Sequence, residues 1–228
     1  MRAGIARLMA PSSGRNATAG YVAPFLIYVG MMVLPLPPEW LWPIRFAIVL
    51  AVILFVSRPF LTLRPSYAWA SIAIGTAVFL IWIGPDVLFG YRHHWLFENF
   101  LFPKAASSLS PALQHDYFFL SIRVMSSVLL VPVLEELFWR GWLMRWLINP
   151  DFLKVPLGTY QATSFCVVAL LFASEHGSYW DVGLLAGTIY NWWMVRAKSL
   201  ADCILAHAVT NGILAIYVLT AGHWEYWL

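Results

Sequence analysis

Charged residues are scarce in this sequence of 228 residues, because only 11% are Asp, Glu, Lys or Arg. A soluble globular protein has about 25%, so the composition leaves no room for a sizeable soluble domain. Cysteine is also scarce. Cys166 and Cys203 lack the spacing of a metal site, and we expect both to be small buried hydrophobic residues. The net charge of +3 is small, so nucleic acid is not an expected partner.

Most of the sequence consists of long apolar runs, and 61% of the residues are hydrophobic. Seven runs predict membrane-spanning helices and therefore an all-α, polytopic transmembrane bundle. Six or eight spans also fit, because the first and sixth runs are short. The predicted spans cover residues 21–36, 40–56, 67–88, 117–147, 160–176, 182–195 and 200–220. We divide the chain into an N-terminal membrane half (1–116), a core (117–220) and a C-terminal tail (221–228).

The basic residues of the connecting segments predict how the chain is inserted. Seven spans place the two chain ends on opposite sides of the membrane. With the N-terminus cytoplasmic, nine Arg and Lys residues lie on the cytoplasmic side and two, Arg92 and Lys104, on the other. This bias follows the positive-inside rule. The nine are Arg2, Arg7, Arg15, Arg58, Arg64, Arg145, Lys154, Arg196 and Lys198.

Two adjacent carboxylates and an arginine interrupt the fourth apolar run, in the stretch Leu134–Trp142. Ionisable groups inside a membrane are costly, so a functional role is the default interpretation. Glu136 and Arg140 are four residues apart, and on a helix they share a face and can form an ion pair. Glu135 points about 100° away around the helix axis. We therefore expect Arg140 to neutralise Glu136 while Glu135 faces a cavity.

Two further polar pairs follow in later spans, each with a spacing of four residues. They are Phe172-x-x-x-His176 and His207-x-x-x-Asn211. The spacing places each pair on one helix face. Counting residues from the predicted cytoplasmic helix ends brings these groups and Glu135 to similar depths. We expect them to meet in one intramembrane cavity.

Such a cluster fits hydrolysis of a peptide bond. A carboxylate and a neutral imidazole can hold a water molecule and take its proton. A second imidazole and a carboxamide can stabilise the resulting oxyanion. Alternatively, Glu135, His176 and His207 could ligate a divalent metal such as zinc that activates the water. A non-enzymatic protein, such as a proton-coupled transporter or an immunity or scaffold protein, could also use these buried groups.

The three sets together resemble the motifs of the CPBP family, which contains CAAX proteases and bacteriocin-processing enzymes and is also called the ABI family. The family pattern is Glu-Glu-x-x-x-Arg, then Phe-x-x-x-His, then His-x-x-x-Asn. The resemblance covers about residues 117–220. It implies an intramembrane endopeptidase of the type that trims prenylated CAAX proteins, with a protein or peptide substrate at the lipid bilayer.

The same resemblance implies a role for each motif residue. Glu135 would activate water with the help of His176, while His207 and Asn211 would form the oxyanion site. Glu136 and Arg140 would support this arrangement. The family is often called a metalloprotease family, yet these residues also suit a metal-free mechanism. The first half of the chain is similar to CAAX-protease-related proteins found beside bacterial exosortase systems, which implies a bacterial inner membrane and leaves the substrate open.

Overall fold

The described residues of this computed structural model are 14–101, 107 and 109–227, and they contain helices but no strand. The prediction of an all-α fold is confirmed. Within these residues, seven main helices follow one another. They are α1 (Gly14–Gly30), α2 (Pro38–Phe60), α3 (Ala68–Phe89), α4 (Tyr117–Trp146), α5 (Ala162–Ser174), α6 (Trp180–Ala197) and α7 (Leu200–Ala221).

Four of these helices, α2, α3, α4 and α7, are long and apolar enough to cross a membrane. Helix α5 and the segment Ala17–Val33 are shorter apolar helices. The first helix begins seven residues earlier than the predicted run, at Gly14, because Ala17 packs into the core. The basic residues Arg2, Arg7 and Lys104, which enter the predicted topology, lie outside the described residues.

Helix α4 contains two wider π-helical turns, at Ser126–Leu130 and Leu137–Leu143. They flank the short α-helical segment Val131–Glu136, which carries both glutamates. In such turns the backbone hydrogen bonds join residues five apart instead of four, and these turns occur frequently at functional sites. Pro132 stands at the beginning of the middle segment, where its missing N–H interrupts the helical hydrogen-bond ladder.

Helices α3 and α7 cross very closely, and this contact fixes the position of α7 in the bundle. A Cβ atom at Gly75 would come within 2.3 Å of the Ala206 carbonyl oxygen, so only glycine fits there. At the cytoplasmic end predicted above, the fully buried Asp202 accepts hydrogen bonds from the backbone N–H groups of Ser66 (2.8 Å) and Tyr67 (2.7 Å). Asp202 thereby satisfies two N–H groups that precede α3 and ties the two helices together.

The largest core cluster contains residues from both halves of the chain, from Ala17 in α1 to Ala206 in α7. Leu134 and Leu137 of α4 are completely buried in it. Cys203 is buried as expected, whereas Cys166 is exposed on the outer face of α5. The prediction that both cysteines are buried is therefore wrong for Cys166, since an apolar side chain on a membrane helix can face lipid instead of the protein core.

Candidate functional site

A cavity of about 180 Å³ lies inside the bundle between α3, α4, α5, α6, α7 and the C-terminal segment. Four of the six predicted site residues line it: Glu135, His176, His207 and Asn211. Its other lining residues are Trp82, Ser127, Val131, Phe172, Ala186, Tyr190, Thr210, Leu214, Tyr226 and Trp227. The three motifs thus meet around one space, although they come from three different helices.

Glu136 and Arg140 lie behind the cavity wall and are both completely buried. Nη1 of Arg140 donates to Oε1 of Glu136 at 3.0 Å, which is the ion pair expected from the spacing. The same carboxylate oxygen lies 3.0 Å from Nδ1 of His207. A carboxylate accepts hydrogen bonds, so Nδ1 of His207 carries the proton and Nε2 is the nitrogen available to the cavity. This hydrogen bond between His207 of α7 and Glu136 of α4 was not predicted from the sequence.

Arg140 is held on three further sides. Its Nε donates to Oδ1 of Asn191 at 2.9 Å, and its Nη2 donates to the Gly187 carbonyl at 3.2 Å. The ring of Phe172 lies under the guanidinium, 4.6 Å from ring centroid to Cζ. The phenylalanine of the second motif therefore helps to hold the arginine of the first, by a cation–π contact.

Asn191, which lies outside the three motifs and was not predicted, also holds Arg140 in place. It is completely buried in α6, and its Nδ2 donates to the Phe165 carbonyl of α5 at 2.9 Å. Its two ends thus connect α5 to Arg140 of α4. The available signal was a lone amide within an apolar run, a residue type that often forms hydrogen bonds between membrane helices.

His176 is oriented by the backbone of its own motif. Its Nδ1 lies 2.7 Å from the Phe172 carbonyl oxygen. Because a carbonyl only accepts, Nδ1 is protonated and Nε2 of a neutral His176 carries a lone pair. That lone pair can accept a hydrogen bond from a water molecule.

Glu135 provides the carboxylate of the cavity. Its Oε2 is buried and has no hydrogen-bond partner among the described residues. A buried carboxylate oxygen without a partner costs free energy, because it has lost its hydration. The expectation that Glu135 faces a cavity while Arg140 pairs with Glu136 is confirmed by this geometry.

Asn211 is fixed by the wide turn of α4. Its Nδ2 donates to the Ser127 carbonyl at 2.7 Å. In this turn the N–H of Val131 bonds to the Ser126 carbonyl, five residues back. By the same spacing the Ser127 carbonyl would accept from the backbone N–H of residue 132. That residue is Pro132, which has no N–H, so the Ser127 carbonyl accepts from the Asn211 amide instead. One N–H of the amide remains for a group in the cavity.

Tyr190 holds the ring of His207 in place. The two rings stack with centroids 5.1 Å apart and planes 24° from parallel. The Tyr190 hydroxyl donates to Oγ1 of Thr210 at 2.7 Å, and Thr210 donates to the Gly75 carbonyl at 2.8 Å. His207 is therefore restrained both by Glu136 and by the ring behind it.

A metal site is not formed by these groups. Within residues 14–101, 107 and 109–227, no three His, Cys, Asp or Glu side chains come together as a metal-ion site. Glu135, His176 and His207, the three ligands considered in the sequence analysis, thus do not form such a group.

Gly183 of α6 gives a way to test the position of His176. A Cβ at Gly183 would lie 3.0 Å from Cγ and 3.1 Å from Nδ1 of His176. We expect Gly183→Ala to displace the imidazole by a few tenths of an ångström and to lower any activity that depends on its position several-fold, since a misplacement of about 1 Å can cost about 10²-fold. Stability should not fall in proportion, because alanine favours a helix over glycine by about 1 kcal/mol.

Gly212→Ala is the matched control, since a Cβ there meets only Val128, at 3.8 Å. Turnover and thermal unfolding of both variants would be compared with the unaltered protein. Equal turnover in Gly183→Ala and Gly212→Ala would show that the orientation of His176 does not matter.

Comparison with known proteins gives one result. Residues 117–213 match the model of a family described as type II CAAX prenyl endopeptidase Rce1-like. The matched segment contains all three motifs, and the resemblance to the CAAX-protease family is confirmed over it. No curated protein and no solved structure matches the chain.

Proposed function

We propose that this protein is an intramembrane endopeptidase that hydrolyses a peptide bond with a water molecule activated by Glu135 and His176. One observation carries the proposal: a buried, unpartnered carboxylate oxygen and an oriented imidazole line the same cavity. The match of residues 117–213 to an endopeptidase family supports it.

The attacking water would donate one hydrogen bond to Oε2 of Glu135 and one to Nε2 of His176. Both of its lone pairs then remain available, and one attacks the carbonyl carbon of the substrate. The proton leaves for the Glu135 carboxylate as the C–O bond forms. His176 stays neutral in this scheme and orients the water.

The oxyanion would be stabilised by His207 and Asn211. To act as a donor, His207 would carry protons on both ring nitrogens, with Nδ1 donating to Glu136 and Nε2 donating to the oxyanion. The second N–H of the Asn211 amide, beside the one bonded to Ser127, is the other donor. Two donors fixed before the reaction need no reorganisation when charge develops.

Bond cleavage then returns the proton. The tetrahedral intermediate collapses, the C–N bond breaks, and the protonated Glu135 gives its proton to the leaving nitrogen. The products are a carboxylic acid and an amine. Glu135 thus serves first as base and then as acid, so a second acidic group is not needed.

The substrate in this proposal is a membrane protein or peptide that reaches the cavity from the bilayer, and nucleic acid has no part in it. The protein would be an integral protein of a bacterial inner membrane. Its N-terminus would lie in the cytoplasm, an orientation that the distribution of basic residues favours. Residues 117–220 would form the catalytic core, supported by the N-terminal half 1–116.

Peptide cleavage in liposomes tests the substrate class. Each peptide would be offered with and without a farnesyl group on a CAAX cysteine, beside a library of membrane-anchored peptides without that motif. We expect cleavage of membrane-anchored peptides that persists after treatment with a chelator. Loss of cleavage with the chelator and its recovery with zinc would contradict the metal-free mechanism.

A further inference from the structure

A second cavity, of about 330 Å³, adjoins the catalytic cavity and shares Trp82, His176 and Tyr226 with it. Glu175, Gly177 and Tyr179 complete its wall. His176 thus lies between the two cavities and contributes to the wall of both. A substrate whose scissile bond lies at Glu135 would therefore place a neighbouring side chain in this space.

Glu175 brings a negative charge to this second cavity. It directly follows the last residue of α5, where the negative end of the helix dipole makes a carboxylate unfavourable. It also lies close enough to Glu135 for the two carboxylates to repel each other. Glu175 is exposed at the second cavity, and a cation bound beside it would offset both unfavourable interactions.

The described residues do not supply that cation. The Glu175 side chain makes no hydrogen bond or ion pair within the part of the chain that the structure describes. Arg140 is engaged with Glu136 and Asn191, and Arg92 is engaged with Asp181 at 3.2 Å.

Aromatic rings form the rest of the wall. Trp82 packs against His176 with centroids 5.2 Å apart and stacks on Tyr179 at 6.2 Å. Burial raises the pKa of Tyr179 and of Tyr226 above the ordinary value, so both rings are neutral. Partial burial also raises the pKa of Glu175 to about 7, so a cation beside Glu175 would favour its charged form.

Arg92 already lies over the Tyr179 ring, with Cζ 4.2 Å from the ring centroid. The Trp82 and Tyr226 rings are therefore the aromatic groups left to contact an ammonium or guanidinium group beside Glu175.

We propose that the second cavity is a substrate subsite that binds a Lys or Arg side chain next to the scissile bond, with Glu175 as its counter-ion. This inference rests on the proposed function and names the class of substrate that the protein prefers. The specificity follows from charge, because a neutral side chain of equal length leaves Glu175 without a partner.

Paired peptides test the subsite. Lysine or norleucine, which has the same apolar stem without the amine, would be placed in turn at the two positions on each side of the cleaved bond. The measurement is made in micelles of a non-ionic maltoside detergent, which contain no lipid amine. At one of these positions we expect kcat/KM to be at least about tenfold higher for the lysine peptide than for the norleucine peptide. A charge-assisted hydrogen bond to Glu175 is strong enough to give a difference of this size.

Glu175→Gln should bring the lysine-to-norleucine ratio close to one, and Glu175→Lys should favour a glutamate peptide instead. Glu39→Gln makes the same chemical change at an exposed position in the first turn of α2 and should keep the wild-type ratio. A wild-type ratio that survives in Glu175→Gln would overturn the proposal, as would a wild-type preference for norleucine at every position.

A binding experiment separates this inference from the proposed function. The same peptides with an uncleavable reduced amide bond would be titrated against wild-type protein and Glu175→Gln. Lysine-selective binding that Glu175→Gln removes, combined with no cleavage of the corresponding ordinary peptides, supports the subsite and contradicts the peptidase. Cleavage with no lysine preference in either rate or binding supports the peptidase and overturns the subsite.

Discussion

Glu135→Gln is expected to lower kcat by about 10²–10⁴-fold, the range that general acid–base catalysis contributes. Glutamine keeps the size of the side chain but can neither take the proton of the water nor return it to the leaving nitrogen. The fold should remain intact, because Oε2 of Glu135 has no hydrogen-bond partner among the described residues that the change would remove. A neutral amide in the cavity would also end the repulsion from Glu175.

Turnover of a membrane-anchored peptide and the thermal unfolding temperature would be measured together for this variant. Glu39→Gln, at an exposed position, controls for the chemical change itself. An unfolding temperature that is unchanged or higher, combined with lost turnover, is the expected pattern. Full turnover in Glu135→Gln would remove Glu135 from the mechanism.

Arg140→Ala should have the largest effect on stability. It leaves the Glu136 carboxylate completely buried without its guanidinium partner, and it removes the hydrogen bonds to Asn191 and Gly187. Breaking a buried ion pair from one side typically costs about 3–5 kcal/mol. For a chain of this size the loss corresponds to roughly 10 °C in the unfolding temperature. Turnover should fall as well, because Glu136 also fixes His207.

A second variant separates the stranded charge from the lost packing. Glu136→Gln combined with Arg140→Met replaces the charged pair with neutral groups of similar size. We expect this double variant to unfold at a higher temperature than Arg140→Ala, since no uncompensated charge stays buried. Arg58→Ala, at an exposed arginine, should change little. If the double variant were no more stable than Arg140→Ala, the stranded charge would not be the cause.

The sequence predicted the helices and the arrangement around the two glutamates because these features have local causes. Apolar runs set the number and approximate bounds of the helices. The spacing of Glu136 and Arg140 within one helix determines that they share a face, and the ion pair at 3.0 Å follows from it. The direction of Glu135, about 100° away from Glu136 around the helix axis, follows from the same helical geometry.

The links between helices were outside the reach of local patterns. The contact of His207 with Glu136, and the contacts of Asn191 with Arg140 and the Phe165 carbonyl, depend on how each helix is rotated about its axis. Asp202 shows the same limitation. Its position in the first turn of α7 indicates only a favourable charge for its own helix, whereas the carboxylate accepts backbone hydrogen bonds from the segment preceding α3. Spacing within one helix carries no information about such partners.

The most direct test of the central claim is mass spectrometry of a membrane-anchored peptide after incubation with the purified protein in liposomes made with ¹⁸O-labelled water. If Glu135 and His176 activate water, two fragments should appear whose masses add up to the peptide plus one water molecule. The new carboxyl group should carry the label, and Glu135→Gln should give neither fragment. An absence of fragments from well-folded wild-type protein across the peptide library, or equal amounts from Glu135→Gln, would contradict the account.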